Sequence, residues 1–144
     1  MNWKAEAKEK LTRYGAMRLA TINIPAEIKR LEIDAKRIRA AKTDAPAIKR
    51  GYSRREDALL NNMIQRQELA QTLQQAQIWL QATDRALAHL SNDEQSILHR
   101  LYIYPEVQAV ERLCHELGCE TSSVYRRRDR ALKHFTLAFY GMEE

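Results

Sequence analysis

Thr121, Ser122, Tyr125, Arg126, Arg127 and Arg130 lie close together and combine the two chemistries that reading a nucleic acid requires. Small hydroxyls at the start of a helix can approach base edges. Long cations one or two turns later can hold phosphate oxygens or the acceptor edge of guanine. On a helix, Ser122, Tyr125, Arg126 and Asp129 share a face by three- and four-residue spacing, whereas Arg127 and Arg130 lie round to one side. The arginines of this run cannot all meet DNA, and the plainer reading is a solvated face paired with Asp129.

A second basic tract consists of Lys36, Arg37, Arg39, Lys42, Lys49, Arg50, Arg54 and Arg55, with Asp44 its one acid. Lys49, Arg50, Arg54 and Arg55 are candidate phosphate contacts, although such clusters are usually just solvated. Cys114, His115 and Cys119 lack the spacing of a two-cysteine zinc knuckle, and the sequence has no second ligand pair to complete one. Both cysteines read as free thiols and no metal is expected. His89, His99 and His134 stand apart from any nucleophile or acid in a motif, and His115-Glu116 lacks the second histidine of a zincin helix. With no phosphate-binding loop either, no catalytic residue and no cofactor are expected; the chain does not read as an enzyme.

The elements that must carry these side chains are helices. The 144 residues include only four Gly and three Pro, 44% are apolar and 30% charged, which excludes a disordered polar tail and argues against a strand-rich fold. The net charge of +5 is concentrated at the start: residues 1–57 hold 15 basic and 8 acidic side chains, residues 91–144 hold 7 and 9. With charges within the opening MNWKAEAKEKL, no signal peptide is expected there, and no uncharged run reaches the roughly 18 residues of a membrane span. A cytoplasmic protein with no membrane partner is expected.

Trp3, Ala7, Tyr14, Met17, Ile24, Ile28, Leu31, Ala35 and Ile38 follow helical spacing, and Pro25 predicts a break or kink near residues 22–24. Residues 43–53, with Pro46 and Gly51, read as a connector. A long helix over 54–89 carries Leu69, Leu73, Ala76, Leu80, Leu87 and Leu90 on a heptad-like seam. It is expected to pack on the first segment as an antiparallel hairpin, its seam satisfied within one chain or between two. From Leu90 the punctuation sharpens. Ser91 with Asp93 and Glu94 starts a helix running to about Tyr102, and Pro105 suits the first turn of the next, which ends at Gly118. A third helix over 121–140 turns Val124, Leu132 and Phe135 inward. The fold class is therefore all-α: a coiled-coil-like helical hairpin over 1–89, then a trihelical helix-turn-helix domain over 90–144 that should fold on its own.

The stretch LSNDEQSILHRLYIYPEVQAVERLCHELGCETSSVYRRRDRALKHF resembles the promoter-reading region four of bacterial sigma factors. Leu90, Glu94, Ile97 and Leu98 match that family's first helix, Leu113, Leu117 and Val124 its core, and Ala131-Leu132-Lys133 its closing Ala-Leu-basic signature. The helical leader is unlike a sigma factor and is similar instead to phage and prophage transcriptional regulators of the ArpU and RinA type. The resemblance implies control of late phage genes, with Thr121, Ser122, Tyr125 and Arg126 at the positions that touch bases and phosphates and Arg130 at a further basic one. Arg127 and Ala109 depart from it, since the family has an apolar core residue and a hydroxyl cap there. The expected partners are double-stranded DNA, RNA polymerase and a second copy of the chain. Two other readings stay open: a DNA-packaging protein like a small terminase subunit, or a polymerase-binding module that uses its acidic helices without DNA.

Overall fold

The computed structural model describes residues 1–41 and 49–142, and the side chains of 49–53 lie outside that description. All regular structure among the described residues is helical: α1 (Trp3–Ala40), α2 (Lys49–Ala88), α3 (Asn92–Leu98) continuing as a π-helical turn (His99–Ile103), α4 (Ala109–Leu117) and α5 (Thr121–Tyr140). The connector expected over 43–53 lies partly outside the described residues, and its last part is corrected: α2 already runs through Gly51 and Ser53.

Pro25 does not break α1. Proline costs the helix one backbone hydrogen bond, but here its ring faces solvent while Ile24, Leu31 and Ala35 are buried around it. Burial of a Leu or Ile side chain is worth about 1.5–3 kcal/mol, so packing of the buried face holds the helix through the defect.

The chain packs into two compact units, and they do not divide at 89/90. One combines Met1–Arg18 with Ile78–Glu144, the other is Leu19–Gln77. In the first unit, Ala7, Leu11 and Tyr14 of α1 join Leu80 and Ala86 of α2 in a single core with Leu90, Leu98, Ile103, Ala131, Leu132 and Phe135. The ends of the chain are tied to it by rings. Trp3 and Tyr140 lie 4.9 Å apart, and the Lys10 ammonium sits 5.2 Å from the Phe139 ring and 5.9 Å from that of Trp79. Within α1, Gly15 faces the Tyr104 ring, which an added Cβ would meet at 3.1 Å. Tyr14 donates to Asp84 at 2.5 Å and accepts from Arg18 at 2.9 Å. A second cluster, Ile97, Leu113 and Val124, joins α3, α4 and α5.

In the other unit, the buried Asn62 amide donates to the Leu31 carbonyl at 2.8 Å, and the Arg55 guanidinium donates to the Arg39 carbonyl. Later positions of α1 thus meet earlier positions of α2. Each helix here also carries large apolar residues on the side away from that contact. Leu19, Ile22 and Ile33 of α1 are exposed, as are Leu60, Met63 and Ile64 of α2. By helical spacing each trio clusters on one side, opposite the buried residues of its own helix. Apolar residues on two opposite faces explain why neither long helix shows a single dominant apolar side.

Candidate nucleic-acid interface

The approach to α5 begins at Ser91. Its hydroxyl accepts from the Glu94 amide at 3.2 Å while Glu94 reaches back to the Ser91 amide at 3.4 Å, a reciprocal cap for α3. The second Glu94 oxygen meets His134 Nδ1 of α5 at 2.5 Å, so this cap also ties α3 to α5. Burial alone would raise the Glu94 carboxyl, but hydrogen bonds from His134 and Ser91 more than offset that and hold it below its usual value.

Beyond the π-helical turn the expected placement of Pro105 is corrected. It precedes α4 by a turn instead of opening it, because the chain first wraps around Arg100. The Glu106 amide donates to the Arg100 carbonyl at 3.1 Å, and the Arg100 guanidinium pairs with Glu106 at 3.1 Å and with Glu116. Arg112 adds to Glu106 at 3.6 Å. The hydrogen bond from Arg100 lowers the Glu116 carboxyl below its usual range. The α4 helix can then start only after Gln108 adopts φ 57°, a left-handed conformation that a residue with a Cβ adopts at a cost of order 1–3 kcal/mol. Gly118, at φ 63°, ends α4 as expected.

α5 is held by its inner face: Val124, Ala131, Leu132, Phe135 and Thr136 are all buried. Ser122, Tyr125, Arg126, Asp129, Arg130 and Lys133 are exposed. Arg126 Nη2 donates to Ser123 Oγ at 3.2 Å. Asp129 accepts from Arg128 at 3.0 and 3.2 Å, and the same guanidinium lies 4.9 Å from the Tyr125 ring centroid. The acid of this face is thus engaged by Arg128, whose side chain is partly buried, and Arg126 and Arg130 are not its hydrogen-bonded partners.

Of the six residues singled out on α5, Ser122, Tyr125, Arg126 and Arg130 come together on the open side, and Thr121 is exposed at the first turn. Arg127 is half-buried, three residues from Val124 and four from Ala131, on the flank of the packed face. Lys133 was not among the expected contacts; it lies two turns beyond Arg126 and three residues beyond Arg130, a spacing that could have marked it. In the second tract, Arg54 is exposed and Arg55 is half-buried, its guanidinium donating to a carbonyl in the last turn of α1, where backbone acceptors lack helical partners. The Lys49 and Arg50 side chains and Lys42 fall outside the described residues.

Cys114 and Cys119 are half-buried free thiols at the α4–α5 turn. Among the described residues no group of three or more His, Cys, Asp and Glu is placed to hold a metal ion, and no helix is long and apolar enough to cross a membrane. Compared with family models, curated proteins and solved structures, the chain matches none.

Proposed function

We propose that the chain is a sequence-specific DNA-binding regulator of transcription that lays α5 in the major groove. The observation that carries this is the division of α5 into a buried face and an open face bearing Ser122, Tyr125, Arg126, Arg130 and Lys133. Small and aromatic polar groups near the helix start suit base edges, and the cations beyond suit phosphates or guanine. In this reading α3, α4 and α5 are the trihelical helix-turn-helix, and Gly118 makes the turn before the reading helix. The resemblance to sigma region four and to phage regulators adds control of late phage genes, a bacterial cytoplasm and RNA polymerase as further parts of the proposal.

The long helices form a hairpin in this reading, and its outward apolar residues serve self-association, delivering two reading helices to one site. The test is unbiased selection of bound fragments from host and phage genomes, followed by affinity measured against salt. Enrichment of discrete upstream sites supports the proposal. Absence of binding even at low salt would overturn it and move the chain to the class of protein-interaction modules. Helices apolar on both sides also suit rings of several copies, so ring-shaped oligomers on DNA without promoter enrichment would favour a packaging role.

A further inference from the structure

Cys114 and Cys119 are five apart in sequence. In an uninterrupted helix such a pair is separated by about 7.5 Å along the axis and about 140° around it, out of reach of a disulfide. The chain does not continue as a helix there. Gly118 turns left-handed at φ 63°, and the Cys119 amide donates to the Cys114 carbonyl at 3.1 Å. This six-to-one bond closes a Schellman turn, a cap in which the two residues sharing the bond commonly bring their side chains into apolar contact. Both cysteines pack against the cluster of Ile97, Leu113 and Val124, both are half-buried, and both are free. Cys114 Sγ lies 3.7 Å from Thr121 Oγ1, in the first turn of α5.

We propose that Cys114 and Cys119 form a reversible thiol–disulfide site, closed by a peroxide, in the turn that leads into α5. One thiolate attacks hydrogen peroxide: an S–O bond forms, the O–O bond breaks, and the departing hydroxide takes a proton to become water. The second cysteine, its proton lost to solvent, then attacks that sulfur; the S–S bond forms and the oxygen leaves as a second water. Two thiols lose two electrons and one peroxide gains them, and a dithiol reductant reverses the step by exchange. Closure fixes the Cys114 sulfur, which lies 3.7 Å from the Thr121 hydroxyl, and so acts on the first turn of α5. The bond-forming chemistry stands alone; its effect on DNA rests on the function proposed above.

The test treats the full chain with hydrogen peroxide, alkylates the remaining thiols, and reads intact mass and peptide linkage. The expected product is a monomer lighter by two hydrogens, with both thiols protected and a Cys114–Cys119 peptide link that dithiothreitol removes. Cys119→Ser should leave Cys114 open to alkylation or further oxidation, and a melting curve like that of the reduced wild type shows the variant is folded. Independent alkylation of both cysteines after peroxide, or links only between chains, overturns the proposal. In a second arm, a selected DNA fragment is titrated with reduced and oxidised protein. Oxidation should weaken binding about tenfold in the wild type, and dithiothreitol should restore it; equal affinity of the reduced and closed forms overturns the coupling to α5. A reduced protein that binds no fragment counts against the DNA reading, while the mass measurement still decides the thiol site.

Discussion

Arg126 has a neutral hydroxyl partner, Ser123 Oγ, which a phosphate or a guanine edge can replace without leaving a buried charge behind. Arg126→Ala is therefore expected to weaken specific DNA binding by about 1–3 kcal/mol and to shift unfolding free energy by no more than about 0.5 kcal/mol. Titrations beside the wild type at one salt concentration, with matched melting curves, check both parts. Arg127→Ala, on the half-buried flank, should cost less affinity. Glu94 offers a different residue-scale test. Its carboxyl is held below its usual value in the folded chain, so its contribution is complete above the unfolded carboxylate pKa of about 4.3 and is lost as pH falls through the lower, folded one. Glutamine can still serve in the reciprocal cap but carries no charge. Glu94→Gln should flatten the acid limb of melting temperature against pH, and a limb as steep as the wild type's would show that the pair with His134 is not linked to stability.

At the scale of the element, α5 depends on an inner face with no polar room. Leu132 is 2% exposed among Phe135, Ala131 and Leu98, so Leu132→Asp buries a carboxylate without a partner and should abolish cooperative unfolding of that unit in a thermal melt. This face was legible from spacing, as were the Ser91–Glu94 cap and the Gly118 stop, because each is a local signal whose physics lies within a few residues. Pro25 and Pro105 misled for a common reason: proline reports only its own φ and missing donor. At Pro25 burial of Ile24 and Leu31 outweighed the missing bond, and at Pro105 the Arg100–Glu106–Glu116 network claimed the segment first. Gln108 carried no glycine or asparagine signature for its left-handed backbone. Lys133 was legible by spacing and was absorbed into a signature instead. The two-sided pattern of the long helices was hidden because the inward seam alone satisfied the heptad. Leu60→Lys with Ile64→Lys should lower the mass seen by sedimentation if the outward residues join copies, while helicity stays nearly constant.

Over the whole molecule, the unit that carries α5 is assembled from both ends of the chain. Leu11 is fully buried in the core that also holds Leu132 and Phe135. Leu11→Ala should destabilise that unit by about 2–5 kcal/mol despite its distance in sequence, as chemical denaturation followed by Trp79 fluorescence would show. The reach of α1 into this core was not legible, because an apolar seam states that a face is covered without naming its cover. A piece comprising residues 88–144 lacks Ala7, Leu11, Tyr14, Leu80 and Ala86, and in place of independent folding it should melt without a cooperative transition. The same arrangement sets a clock during synthesis. The stripe of Ala7, Leu11 and Tyr14 leaves the ribosome first and waits for Phe135, roughly ten seconds at about 5–20 residues per second. Until then a nascent chain can cover it only in part, with Leu80, Ala86, Leu90, Leu98 and Ile103, and a message cut short before α5 leaves it without Ala131, Leu132 and Phe135 permanently. Stalled chains of increasing length should therefore gain protease resistance in this unit late, once α5 has emerged.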